Sequence, residues 1–164
     1  MATRYLVERQ VAGFQVAGEY LMLRRQLPFS IEALSKALRK MPDGLIWQRS
    51  KVDGTVALEL LEVEVSRKPL AEIEACLSWA SYVGTQLSAD SSVKVAGVVF
   101  VFDRSLNHAK RLLLAANSLW GGRPLAERVT LERRVKLVAV EMRDPLVWVG
   151  YSVTTLHELR ERRV

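Results

Sequence analysis

The sequence predicts an α/β protein with a mixed central β-sheet flanked by helices. Three observations carry that expectation. The run from Val93 to Phe102 is apolar almost without interruption, the pattern of a strand covered on both faces. A second apolar run, about Val135 to Met142, is separated from it by a stretch of helical periodicity, as in a crossover between neighbouring strands. Upstream, the extended segments Leu45 to Arg49 and Val56 to Ser66 flank Val52-Asp53-Gly54-Thr55, and Asp-Gly between such runs signals a hairpin.

From Glu8 to Arg25, Val11, Phe14, Val16, Leu21 and Leu23 recur at roughly helical spacing, which predicts a first helix with Gly13 and Gly18 at close-packed points. Ser30 suits the N-cap of a second helix, carrying Leu34, Ala37, Leu38 and Met41 on one face until Pro42 stops it. The hairpin follows. Pro69 then suits the first turn of a helix that repeats Leu70, Ile73, Leu77 and Ala80 and runs to about Leu87. After the Val93 strand, Ser105 can cap a helix carrying Leu106, Leu112, Leu113, Ala116 and Leu119, which Gly121-Gly122 ends. The Val135 strand completes the order α-α-β-β-α-β-α-β, with right-handed crossovers adding the later strands, and a further strand at Leu146 to Ser152 and a short basic tail helix follow it. These elements predict one domain over 1–164, with N-terminal helices at about 8–41, a core at about 42–152 and a basic tail at about 153–164.

A chain of 164 residues buries roughly 70% of its unfolded surface without needing disulfides or a structural metal. No apolar run reaches the roughly 18 residues of a membrane-spanning helix, and the N-terminus lacks the layout of a secretory signal. The expectation is a cytoplasmic protein with no membrane partner. Cys76 sits in an apolar helical pattern, which favours burial over nucleophilic chemistry. His108 and His157 are too isolated to suggest zinc.

The net charge of +6 is unevenly distributed: Met1 to Asp103 carries 12 Lys/Arg and 12 Asp/Glu, and Arg104 to Val164 carries 12 against 6. The whole excess therefore belongs to the C-terminal part. Arg123, Arg128, Arg133, Arg134, Arg160, Arg162 and Arg163 are its candidate phosphate contacts, of a kind that gives salt-sensitive, sequence-independent affinity for DNA.

The hairpin carries the chemistry. Pro42-Asp43-Gly44-Leu45-Ile46 opens its first strand, and Glu62-Val63-Glu64 lies on its second. Residues two apart on a strand share a face, so Glu62 and Glu64 project together with Leu58, Leu60 and Ser66, while Leu61, Val63 and Val65 face the other way. The acidic pair is expected where that face leaves the core and meets solvent or a cleft. Adjacent carboxylates repel unless a cation or proton lies between them, and magnesium is held by one or two carboxylates with waters and phosphate oxygens. Asp43 can supply a further oxygen. A solvated charged hairpin face satisfies the same pattern.

Pro42-Asp43 and Glu62-Val63-Glu64, with a helix directly after them, resemble the motif of the restriction-endonuclease-like, PD-(D/E)XK nuclease superfamily. More narrowly, Ser30-Ile31-Glu32-Ala33-Leu34, Pro42 to Ile46 and Leu61 to Lys68 are similar to the replication-relaxation family of plasmid and mobile-element proteins, over about residues 8 to 87. The resemblance implies a restriction-endonuclease-like α-β-β-β-α-β core and a Mg2+ or Mn2+ ion held by Asp43, Glu62 and Glu64, with Glu32 holding a metal-bound water. It also implies a catalytic lysine at the position of Glu64. That departure leaves two substitutes: Glu64 as general base, or Lys68 reaching back from four residues further on to stabilise charge on phosphorus.

The function expected is a metal-dependent DNA phosphodiesterase linked to plasmid, phage or mobile-element DNA, possible as a homodimer because one site cuts one strand. The alternatives are a catalytically inactive DNA-binding or assembly protein of the same fold, and an oligomerising structural protein.

Overall fold

A computed structural model describes residues 2–29, 38, 40–64, 68–86, 92–104, 107–144 and 147–162. Six strands, β1 (Gln15–Gly18), β2 (Gly44–Arg49), β3 (Val56–Glu64), β4 (Val93–Asp103), β5 (Val135–Asp144) and β6 (Val147–Thr155), lie side by side in chain order. β1, β2 and β3 form an antiparallel meander; β3, β4 and β5 are parallel; β6 returns antiparallel. The helices are α1 (Ala2–Val11), α2 (Glu19–Leu23), α3 (Leu70–Leu77) with a 3-10 turn at Ser78–Tyr82, α4 (His108–Trp120), α5 (Leu125–Arg133) and α6 (Leu156–Glu161). The expected mixed sheet flanked by helices is what forms.

The N-terminal helix differs from its expected span. It starts earlier, at Ala2, and stops at Val11; Gly13 then takes φ +87°, which a residue with a Cβ adopts only at a cost, and the chain enters β1. Val16 fits a period of two as well as it fits 3.6. In β1 it pairs with Ile46. Of the second expected helix, 30–37 and 39 lie outside the described residues, as does Ser105 at the start of the fourth. The expected tail from 153 is still strand through Thr155, whose hydroxyl then caps α6 in a reciprocal box with Glu158. α5 has no counterpart in the sequence reading, because Leu125 is exposed and Leu131 alone in the helix buries a large apolar side chain.

Two cores sandwich the sheet. On one face Leu58, Leu60, Val98, Phe100 and Leu137 meet Ile73 and Leu77 of α3, Leu112 and Trp120 of α4, Leu131 of α5 and Leu156 of α6. On the other, Tyr5 and Leu6 of α1 cover Ile46, Leu61, Val63, Val99, Val101 and Val138. β3 is therefore central and covered on both sides. Its last five residues, Leu60 to Glu64, are all buried.

Candidate active site

The burial of β3 corrects one expectation directly. Glu62 and Glu64 do share a face with Leu58 and Leu60, but that face continues as core: Glu62 is 0% exposed and Glu64 1%. They stand opposite Phe100 and Phe102 of β4, beneath the helix layer. An unpaired carboxylate in such a place is strongly disfavoured, and two lysines answer it. Lys68, just before Pro69 at the start of α3, places Nζ 2.5 Å from Glu62 Oε1 and 3.3 Å from Glu64 Oε1. Lys40, three residues before Asp43, donates to the same Glu62 Oε1. Its Nζ also lies 3.9 Å from the Sγ of Cys76 on α3.

Asp43 joins this group from the next strand. Its backbone N–H donates to Leu61 O and its Oδ2 accepts the Val63 N–H, both at 2.8 Å. The side chain thus carries the β2–β3 ladder past the end of β2. Gly44 follows because a Cβ there would meet Leu61 Cδ2 at 3.1 Å and the Ala17 carbonyl at 3.2 Å. Asp43, Glu62, Glu64 and Lys68, separate in sequence, meet at one end of the hairpin. Glu32 lies outside the described residues.

The electrostatics assign different proton states to these groups. Burial alone would lower the Lys68 pKa, but its hydrogen bond to Glu62 and the charges of Glu62, Glu64 and Asp43 raise it above the ordinary lysine range. Lys68 is a fixed cation and donor at neutral pH, not a base. Burial raises the pKa of Glu64 more than the nearby lysines lower it. Cys76 is pushed up strongly by burial and by Glu62, so it remains a thiol, in keeping with the structural role its position suggested.

Glu62 Oε2 and Glu64 Oε2 are buried without a hydrogen-bond partner among the described residues, while Glu64 Oε1 faces the Lys68 ammonium at 3.3 Å. These are acceptors with unused capacity next to fixed cations. Among the described residues no three aspartate, glutamate, histidine or cysteine side chains stand close enough to enclose a metal ion. Magnesium needs only one or two carboxylates when water and phosphate oxygens complete its shell. The donor type and the two oxygens without a hydrogen bond among the described residues fit that requirement.

Sequence reasoning missed two members of this neighbourhood. Lys40 carried no signal, because nothing in the pattern showed that its segment would return over Glu62. His108, 3% exposed at the start of α4, stacks at 6.0 Å and a tilt of 55° on Phe102. Burial and Arg111 lower its pKa, and Lys68 adds to the effect against Asp103. Arg111 itself donates to the Lys68 carbonyl.

The C-terminal arginines divide into two sets. Arg160 grips the fully buried Glu132 of α5, with Nε 2.9 and 3.0 Å from its two oxygens and Nη2 2.7 Å from Oε1, while Nη1 donates to Asn117. Arg128 and His157 stand 3.8 and 3.7 Å from the same carboxylate. Arg134 is half-buried and donates to the Ala80 carbonyl. Arg123 pairs with Glu127 at the surface, Arg133 and Arg162 are exposed, and Arg163 lies outside the described residues.

No helix among the described residues is long and apolar enough to cross a membrane. Comparison with models of protein families, with curated proteins and with solved structures returned no match to this chain. What stands is an α/β protein whose central strand ends in a buried, lysine-bridged pair of carboxylates.

Proposed function

We propose that this protein is a metal-dependent DNA phosphodiesterase of the PD-(D/E)XK type, acting on plasmid, phage or mobile-element DNA. The observation that carries the reading is Lys68. The sequence has Glu64 at the place where the resemblance expects a lysine, and Lys68 returns from the α3 start to put an ammonium group 2.5 Å from Glu62 Oε1. The chain order favours the same reading: a three-stranded antiparallel meander, a crossover through α3, then the parallel strand β4.

Each residue has a role in this proposal. Glu62 and Glu64, with waters completing the shell and Asp43 at its edge, would hold Mg2+ or Mn2+, and the ion would supply polarisation of the scissile phosphate and a more acidic water. Lys68, permanently protonated, donates to the non-bridging phosphate oxygen where negative charge grows. Glu64, whose pKa burial raises above that of an ordinary glutamate, is the candidate general base. Arg133 and Arg162, with Arg123, position the DNA backbone.

One observation favours a second reading. Lys40 and Lys68 already neutralise two of the three carboxylates, as in a nuclease-like scaffold that binds DNA without cutting it. Cleavage of supercoiled plasmid in Mg2+ or Mn2+ separates the two, with Asp43→Asn and Glu62→Gln as near-isosteric controls. Metal-dependent nicking lost in both variants supports the enzyme; no nicking by any of the three, with salt-sensitive binding kept by all, supports the scaffold.

A further inference from the structure

We infer that Lys40 is a displaceable internal cation that holds the metal's place on Glu62, and that divalent metal binding expels it. This rests on the proposed metal-dependent reading of the site.

The two lysines on Glu62 are not equivalent. Lys68 is fixed from both sides: Pro69 follows it at the start of α3, Arg111 donates to its carbonyl, and its side chain is 18% exposed. Its Nζ serves Glu62 and Glu64 together. Among the described residues Lys40 touches Glu62 alone of the two, adds a 3.9 Å contact to a neutral thiol, and has a side chain 31% exposed. A flexible four-carbon ammonium at that depth can withdraw into water and be rehydrated.

The charges point the same way. Asp43, Glu62 and Glu64 supply three negative charges and the two lysines supply two positive ones, so the group as it stands is one charge negative. Adding a divalent ion beside both lysines would overshoot to one positive. Exchanging Lys40 for the ion brings the group to zero. Exchange of one lysine for the ion matches the buried charges, as buried groups require, and Lys40, the more exposed of the two, is the one able to leave. Glu62 Oε2 and Glu64 Oε2, without a hydrogen bond among the described residues, remain for the incoming ion. Lys40 therefore protects the metal-free fold and sets a threshold on metal concentration.

The test is Mn2+ binding to the full chain, followed by the paramagnetic signal of the free ion and by the thermal shift that Mn2+ produces, for the wild type, Lys40→Met, Lys68→Met and Glu62→Gln. Removing a charge-assisted competitor should tighten binding roughly tenfold to a hundredfold in Lys40→Met. Its thermal shift at a fixed Mn2+ concentration should exceed that of the wild type, because less metal is spent against the internal cation. Glu62→Gln should abolish both signals. Equal affinity in the wild type and Lys40→Met overturns the displacement and leaves the metal site standing. Equal tightening in Lys68→Met overturns the assignment to Lys40. No binding by either the wild type or Lys40→Met overturns the displacement together with the metal-dependent reading.

Discussion

Two buried glutamate clusters lie on the same side of the sheet, and they are built differently. Glu132 is held by the planar guanidinium of Arg160, which engages both oxygens and is itself anchored on Asn117. Among the described residues Glu62 and Glu64 are met by lysine ammonium groups, which crowd Glu62 Oε1, approach Glu64 Oε1 at 3.3 Å and leave the second oxygen of each without a hydrogen bond. A guanidinium matches a carboxylate bidentately; an ammonium is a point charge. The Glu132 cluster is closed, and it ties α4, α5 and α6 together. The Glu62–Glu64 cluster keeps an oxygen on each carboxylate without a hydrogen bond among the described residues, and the proposed metal reading rests on that difference.

The largest effect follows from the closed cluster. Arg160→Ala removes the one bidentate partner and leaves Glu132 fully buried, with Arg128 and His157 too distant for a good hydrogen bond. Breaking a buried pair this way costs about 3 to 5 kcal/mol, measurable by urea unfolding. Lys40→Met should cost about 1 kcal/mol or less, because Lys68 still serves Glu62 and Lys40 is partly hydrated already. If the two losses are equal, the contrast between closed and open clusters fails.

The next effect has the opposite sign. Glu64 is buried with its Oε2 lacking a hydrogen bond among the described residues, and burial raises its pKa above the ordinary 4.5 despite Lys68. An acid with a raised folded pKa favours folding while protonated; that contribution is complete below about pH 4.5 and is lost as the pH rises through the raised value. Glu64→Gln should therefore stabilise the metal-free protein at pH 7 and have little effect near pH 4. Thermal unfolding at the two pH values checks it. A loss of stability at pH 7 would place Glu64 among satisfied groups like Glu132.

Asp43 separates structure from chemistry within the open cluster. Its Oδ2 accepts the Val63 N–H, so Asp43→Ala should lose about 1 kcal/mol, the worth of one hydrogen bond. Asp43→Asn keeps an acceptor and should lose almost none. Both variants should weaken Mn2+ binding alike, which a purely structural Asp43 would not produce. The measurement pairs urea unfolding with metal titration.

What could be read in advance was set by local pattern. The continuous apolar run of β4 and the Asp-Gly turn before β3 permit few alternatives, and the sheet followed from them. Val16 and Phe14 satisfy two periodicities at once, and only the left-handed backbone at Gly13 decides between helix and strand. In the site, Glu62, Glu64 and Lys68 were visible because they are close in sequence. Lys40 and the Glu132–Arg160 pair were not, since they depend on where separate segments pack. Burial of Glu62 was equally hidden: strand parity gives the face, but not whether helices cover it.

The smallest effect concerns the arginines. Sequence analysis grouped seven of them as phosphate contacts, yet Arg160 and Arg128 turn toward Glu132 while Arg133 and Arg162 remain exposed. Exposed positions away from buried pairs change stability by less than about 0.5 kcal/mol, so Arg133→Ala and Arg162→Ala should unfold like the wild type. If these side chains neutralise phosphates, each substitution should reduce by about one the slope of log affinity against log salt for a DNA duplex. Arg160→Ala should instead lower stability and leave that slope unchanged in the protein that remains folded. A slope unaffected by Arg133→Ala and Arg162→Ala would mean that the basic excess of the C-terminal part serves internal pairing, as at Glu132, and presents no backbone-binding surface.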